Sequence, residues 1–196
     1  AALRPRAVPL GQLRDSYLLA EDEDGLVVVD QHAAHERVLF ERLMAAAERD
    51  EVEVQQLLFP PSFELPAADV VRLEEELAEL RRLGLHVEPF GPSTVRVHAV
   101  PAVAAGEDPE RLVRELFGEA ARARAAAVEL PELRRRLVTT AACQAAIKVH
   151  HALALPAMQA LLDDLFRTGN PTTCPHGRPV LFRMSLEEIE RAFRRR

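Results

Sequence analysis

The chain has 196 residues, 48% of them hydrophobic and 29% charged, with two cysteines and a formal net charge of -6. That length suits one large domain or two small ones with a real core, and two cysteines are too few for a secreted disulfide scaffold. No apolar run approaches the roughly 20 residues that cross a bilayer, and the acidic balance argues against a domain that grips nucleic acid tightly by itself. The charge is uneven, however. Residues 131–196 carry 11 basic and 6 acidic residues, a balance of +5, and residues 1–130 hold the other 14 and 25, a balance of -11. A contact with a polyanion is therefore expected in the last third.

Arg4 and Arg6 are followed by prolines and polar residues, not by the apolar block of a secretory signal, so a cytoplasmic location is expected. The chain opens without methionine, as a piece of a longer protein does. Pro5, Pro9 and Gly11 divide residues 1–15 into short turn or strand segments. Strands are expected over 16–20 and 26–30, joined by the acidic turn Glu21-Asp22-Glu23-Asp24-Gly25 as a hairpin. A helix follows over 33–49, with Val38, Leu39, Leu43 and Met44 on its apolar side, and a strand over 52–59. Pro60, Pro61 and Pro66 break the pattern. Val70, Leu73, Leu77 and Leu80 recur at helical spacing, with Gly84 placed to end that helix. Strands over 85–88 and 94–100 flank the turn Phe90-Gly91-Pro92. Asp108-Pro109 reads as an N-cap with proline in the first helical position, opening a helix to about 127. Residues 61–130 thus read as a β/α unit of their own, inserted between the two ends. Pro131 opens a helix running through Cys143 to about 153, and Pro156 opens another to about 169. After a loop over 170–179 and a strand over 180–183, Ser185 caps a last helix with Glu188 at the capping-box spacing. The fold class expected is α+β.

Three pieces of this chain carry chemistry. The β-branched run Val27-Val28-Val29 ends in Asp30, and His32 and Glu36 follow at a helix start, four residues apart and so on one face. An imidazole and a carboxylate placed this way can share a divalent cation; equally, Asp30 can cap the turn while the other two face solvent. Cys174-Pro175-His176 offers a thiolate and an imidazole whose chemistry favours zinc, or else an ordinary turn with a buried thiol. Cys143 lies on an alanine-rich helix, where a small thiol is commonly core packing. His35 reads as surface, and Arg37 with Glu41 as a helix-face ion pair.

Taken together, these residues resemble the C-terminal domain of the MutL family of DNA mismatch-repair proteins, of the type that carries a latent endonuclease. That family's D-Q-H-A-x2-E-x4-E signature stands here as Asp30-Gln31-His32-Ala33-Ala34-His35-Glu36 through Glu41. Its C-P-H-G-R-P motif is unchanged at Cys174-Pro175-His176-Gly177-Arg178-Pro179. Ala142-Cys143-Gln144 matches a third motif but lacks its basic residue, and Phe193-Arg194-Arg195 matches a terminal F-x-R. The resemblance covers about residues 8–60 and 131–196. It implies a dimerisation and endonuclease subdomain from 1–60 with 131–196, and an external regulatory subdomain over 61–130. It also implies metal ligands at His32, Glu36, Cys143, Cys174 and His176, more than one tetrahedral zinc takes. Two neighbouring ions follow, zinc as a structural or regulatory ion and manganese for chemistry, with Glu36 a candidate bridge. Asp30 is then a manganese ligand or a general base. The implied activity is nicking of one DNA strand in mismatch repair, by a bacterial protein that works at the nucleoid.

Gln55-Gln56-Leu57-Leu58-Phe59-Pro60 is similar to the peptides that bind replication sliding clamps, in which a glutamine precedes an apolar pair. Gln55, Leu58, Phe59 and Pro60 are the candidate clamp contacts; the competing expectation is a buried edge strand before a proline break. Arg178 and the terminal Arg194, Arg195 and Arg196 are candidates for phosphate contact. The implied partners are a second copy (through the apolar hairpin and C-terminal helices), DNA bound weakly, the clamp, an N-terminal ATPase domain and other mismatch-repair proteins, with no membrane. The rival reading is a zinc-stabilised dimerisation and clamp-docking module without chemistry. A small-molecule zinc hydrolase is disfavoured by the lack of a phosphate-cradling glycine loop or an H-E-x-x-H helix.

Overall fold

Side chains alternate across a strand, and that alternation decides which face of the N-terminal strands is buried. The computed structural model describes residues 7–148 and 150–195; Arg4, Pro5, Arg6 and Arg196, used in the sequence reading, lie outside them. In chain order the elements are β1 (Val8–Leu13), β2 (Tyr17–Asp22), β3 (Gly25–Asp30), α1 (Gln31–Glu48), β4 (Val54–Gln56), β5 (Ser62–Glu64) and α2 (Ala67–Arg82). Then come β6 (His86–Pro89), β7 (Thr94–Pro101), a 3-10 turn (Ala102–Ala104), α3 (Pro109–Ala125), α4 (Leu130–Ala145), α5 (Leu155–Arg167), β8 (Leu181–Ser185) and α6 (Leu186–Ala192). Among the described residues these form six α-helices and two antiparallel sheets, the α+β class expected.

The chain folds as two compact units, one from Ala1–Glu41 with Ala146–Arg196 and one from Arg42–Ala145. The inserted unit is wider than the 61–130 read from the sequence. β4 pairs with β7 in the register Val54↔Pro101, and α4 packs along α3, so both flanking segments belong to it.

In the first unit the strand order is β1-β2-β3-β8. Leu18, Ala20, Val27 and Val29 point inward and form one core with Ala33, Ala34 and Val38 of α1, and with Met158, Leu161, Leu162 and Leu165 of α5. Each such leucine contributes about 1.5–3 kcal/mol on burial. Gly25, at φ +148°, opens β3 where a Cβ would press on Met184 O and Leu186 N, so the hairpin turn lies directly against the β8–α6 junction. The opposite face of this sheet is also apolar. Leu13, Tyr17 and Phe182 are 51%, 42% and 55% exposed, and Val28 lies opposite Phe182 in register. With Asp30, Pro179, Val180 and Leu181 they line an open groove of about 370 Å³. An antiparallel sheet with one free face normally turns polar residues outward, and this one does not.

Ser185 caps α6 as its spacing predicts. Glu188 N donates to Ser185 Oγ at 3.2 Å, while Ser185 Oγ and N donate back to Glu188 Oε2 at 2.7 and 2.8 Å. Those bonds, the hydroxyl's first, hold the Glu188 carboxyl below its ordinary value, with Arg191 adding to them. A lowered folded-state value means that the cap stabilises above the usual glutamate range and is lost as pH falls through the lowered value. Acidification through that window is expected to fray α6, and Glu188→Gln to remove the pH dependence. The Ser185 amide shift, followed by NMR titration, checks both.

In the second unit β7 is central, pairing with β4, β5 and β6. α2 buries Val70, Leu73 and Leu80, and α3 buries Leu112, Val113, Leu116 and Phe117. Gly84, at φ +78°, follows the last turn of α2 as expected. Asp108 Oδ1 accepts from Glu110 N at 3.0 Å with Pro109 at the first helical position, again as expected.

Two elements differ from the sequence expectation. The helix through Cys143 ends at Ala145, not near 153, and β4 covers only Val54–Gln56 of the strand expected over 52–59. Among the described residues no helix is long and apolar enough to cross a membrane.

Candidate metal centre

The site of the first unit forms where β3 gives way to α1. Asp30 N donates to Val180 O at 2.9 Å, which fixes the strand end beside the loop that carries the C-P-H motif. Asp30 Oδ1 accepts from Ala33 N at 3.0 Å, so this carboxylate caps α1. One turn of helix then carries His32 and Glu36, and a ring nitrogen of the first lies within 4.8 Å of a carboxylate oxygen of the second. His32 Nδ1 lies 2.8 Å from Ile147 O. If Nδ1 carries the proton, this bond leaves Nε2 with its lone pair, the form that ligates metals.

The opposing loop is a tight turn. Gly177 N donates to Cys174 O at 2.9 Å and Cys174 N to Arg178 O at 2.8 Å, and Val180 N donates to Thr172 O at 2.9 Å. Pro175 presets the second position of the turn, and Gly177, at φ +81°, supplies the left-handed residue that follows. Cys174 is buried as part of the core, whereas His176 stays exposed.

Glu36, Cys174 and His176 converge, each offering one ligand atom within 4.8 Å of the others. Glu36 is fully buried, and neither of its oxygens accepts a hydrogen bond of acceptable geometry. His176 Nδ1 approaches Oε1 at 3.1 Å and Arg178 approaches Oε2 at 3.7 Å, as charge contacts only. A buried carboxylate costs several kcal/mol unless it is both paired and hydrogen-bonded, and Glu36 is paired but not hydrogen-bonded. A cation relieves that cost. Carboxylate, thiol and imidazole together are zinc-type donors, so the residues present fit a divalent ion.

Asp30 is in neither of the ligand groupings that contain Glu36. Cys143 sits half-buried on α4, in the second unit. Arg178 and Arg195 are exposed, and Arg196 lies outside the described residues. The segment after β4 is not a buried edge: Leu57 N still donates to His98 O at 2.9 Å, but Leu58 and Phe59 are 86% and 85% exposed, and Gln55 and Pro60 are exposed as well. His35 is not a surface residue. It is half-buried, and its Nδ1 accepts from Ile147 N at 2.9 Å, so His32 and His35 together hold the Ile147 peptide.

A sequence model of one family, the MutL C terminal dimerisation domain, matches residues 10–153. The chain belongs to that family. The MutL match thus covers Asp30, His32 and Glu36 and stops short of the loop holding Cys174 and His176. Whole-chain relatives extend across it. The DNA mismatch repair protein MutL of Koribacter versatilis is 43% identical over 187 residues, 95% of this chain and 29% of its own length. The MutL of Symbiobacterium thermophilum is 41% identical over 189 residues, 95% of this chain and 30% of its own. That of Listeria monocytogenes is 37% identical over 191 residues, 97% and 31%. The chain therefore spans about 30% of the length of the curated MutL relatives it matches.

Several residues that support this candidate site were not singled out in the sequence. Gln31 is fully buried and donates to Asp15 O and His151 O at 2.8 and 2.9 Å. Arg37 and Glu41 form the ion pair expected of them, at 3.6 Å, and in addition bind the backbone before Cys174. The signal was present in the signature itself, which includes Gln31 and Glu41 without a metal role for either.

Proposed function

We propose that this domain dimerises and, within a longer mismatch-repair protein of the bacterial cytoplasm, nicks one strand of DNA with divalent cations. The observation that carries this reading is the buried Glu36 carboxylate, without a hydrogen-bond donor, facing Cys174 and His176. Glu36, Cys174 and His176 would hold zinc, and His32 with Glu36 would hold manganese, with Asp30 at the helix start as a further ligand or a base. A bound divalent cation supplies neutralisation of phosphoryl charge and a lower pKa for water. The chain's own residues do the rest. His32 keeps its orientation through Ile147 O, Asp30 fixes the helix start as a candidate base or ligand, and exposed Arg178, 3.7 Å from Glu36, is a candidate phosphate contact.

The apolar outer face of the first unit's sheet is the candidate seat of the second copy, in keeping with membership of a dimerisation-domain family. The exposed Leu58 and Phe59, with Gln55 and Pro60, are the candidate clamp peptide. Net acidity keeps intrinsic DNA affinity weak, so the clamp, an N-terminal ATPase domain and other mismatch-repair proteins bring the domain to DNA, with Arg195 as a further phosphate contact.

Nicking of supercoiled plasmid with manganese tests the proposal. Asp30→Asn keeps an acceptor oxygen for Ala33 N, so the helix start survives while the carboxylate is lost. The rate is expected to fall by about 10²–10⁴-fold, the usual contribution of a positioned acid or base. Equal rates would remove Asp30 from the chemistry. They would favour the second reading, a zinc-stabilised dimerisation and clamp-docking module, which the capping role of Asp30 supports.

A further inference from the structure

The second glutamate of the helix signature has no part in the chemistry above, yet it is tied to the site. Glu41 Oε2 accepts from Gly169 N at 2.7 Å and Oε1 from Asn170 N at 3.3 Å. One turn earlier, Arg37 Nε donates to Thr173 O at 2.6 Å, and the Arg37 guanidinium lies 3.6 Å from Glu41 Oε1. Arg37 is buried, an uncommon position for arginine unless it is engaged. The two side chains therefore hold both ends of the segment 169–173. Between those ends Asn170 organises the segment internally, accepting from Thr172 N and Thr172 Oγ1 and donating to Thr173 Oγ1 at 2.8 Å. The next residue is Cys174.

We infer that Arg37 and Glu41 are positioning residues for the cation site: they fasten the 169–173 segment to α1, and thereby fix Cys174 and His176 against Glu36. Glu36 is carried by α1 itself, whereas Cys174 and His176 come from a loop closed by bonds within it and held at its far end by Asp30 N to Val180 O. A loop alone leaves the distance between its ligands and the helix undetermined. Arg37 and Glu41 lie one and five residues after Glu36 on the same helix, so the partner of the ligand set and the anchors of the loop move as one body. Neither anchor touches the cation. Their removal should weaken binding without deleting a ligand, as loss of outer support does at other metal sites, by about 10–100-fold.

This inference rests on the cation reading of Glu36, Cys174 and His176, and the experiment separates the two. Wild type, Glu41→Ala, Glu41→Gln and Arg37→Ala are compared by chelator competition for zinc, by the visible spectrum of the cobalt-loaded protein, and by hydrogen exchange of the zinc-free protein. The expected result is one zinc per chain for all four, with affinity reduced by about 10–100-fold in Glu41→Ala and Arg37→Ala. Glu41→Gln, which keeps one acceptor oxygen, should recover part of the loss. The cobalt spectrum of the alanine variants should shift as the thiolate is less well held, and exchange should rise at Gly169 and Asn170 while the amides of β3 stay protected. Wild-type zinc affinity in Glu41→Ala, together with a wild-type cobalt spectrum, overturns the inference and leaves the cation site standing. Failure of wild type itself to take up zinc overturns both.

Discussion

Replacing Glu36 by methionine is expected to stabilise the metal-free protein while abolishing zinc uptake. Most substitutions at a fully buried position destabilise, so the sign is the test. In the metal-free chain the Glu36 carboxylate is fully buried and its oxygens have no hydrogen-bond donor. An unbranched apolar side chain of similar volume removes that desolvation cost and leaves His176 and Arg178, both exposed, in water. The gain should be about 1–3 kcal/mol, or a rise in Tm of several degrees for a chain of this size. Adding zinc reverses the order. Wild type gains about 2.7 kcal/mol at a cation concentration one hundred times the Kd, and the variant gains nothing. Calorimetry with and without zinc reads both effects. A metal-free variant that melts below metal-free wild type would mean that Glu36 is structurally satisfied after all, and unchanged zinc affinity would remove it from the ligand set.

That prediction depends on a residue legible in the sequence, and its neighbours show where legibility stops. Asp30, Glu36, Cys174 and His176 could be singled out because motifs fix their type and spacing, and a closed turn over 174–177 follows from Pro175 and Gly177. Arg37 and Glu41 were not found as anchors. An arginine and a glutamate four apart on a helix are a common surface pair, and nothing local says that Thr173 O and Gly169 N will be their partners.

The same limit explains the helices and strands. Alternation and capping residues marked the hairpin, the start of α3 and the start of α6, because the groups that decide those features are neighbours in sequence. The end of α4 is set from far away. Gln31 binds His151 O, Gln12 Oε1 accepts from Leu153 N, and His32 and His35 hold the Ile147 peptide, so side chains more than a hundred residues upstream take backbone groups that a longer helix would need. His150 accordingly sits at φ +62°. The strand expected over 52–59 divides for a local reason. Its first part pairs with β7, but Pro60 and Pro61 cannot donate to a ladder, and Leu58 and Phe59 turn outward.

Phe182→Asp is expected to separate the dimer into folded monomers. Phe182 stands on β8 opposite Val28, in the middle of the exposed apolar face, with Leu13 and Tyr17 farther along the same groove. In the isolated chain its side chain is 55% exposed, so the substitution should change monomer stability by no more than about 0.5 kcal/mol. In a two-fold dimer the same surface serves both partners, and the carboxylate enters the interface twice. Loss of a buried aromatic anchor costs about 2 kcal/mol or more, a factor of about 30 in the dimerisation constant, before the cost of two desolvated charges is added. Leu13→Asp, at the other end of the groove, should act in the same direction. Leu58→Asp should not, because Leu58 belongs to the second unit and is assigned to a different partner. Sedimentation velocity over a concentration series, with circular dichroism to show that each variant is folded, distinguishes these cases. Dimers that persist in both groove variants would put the second copy elsewhere, and dissociation by Leu58→Asp would move the interface to the segment assigned here to the clamp.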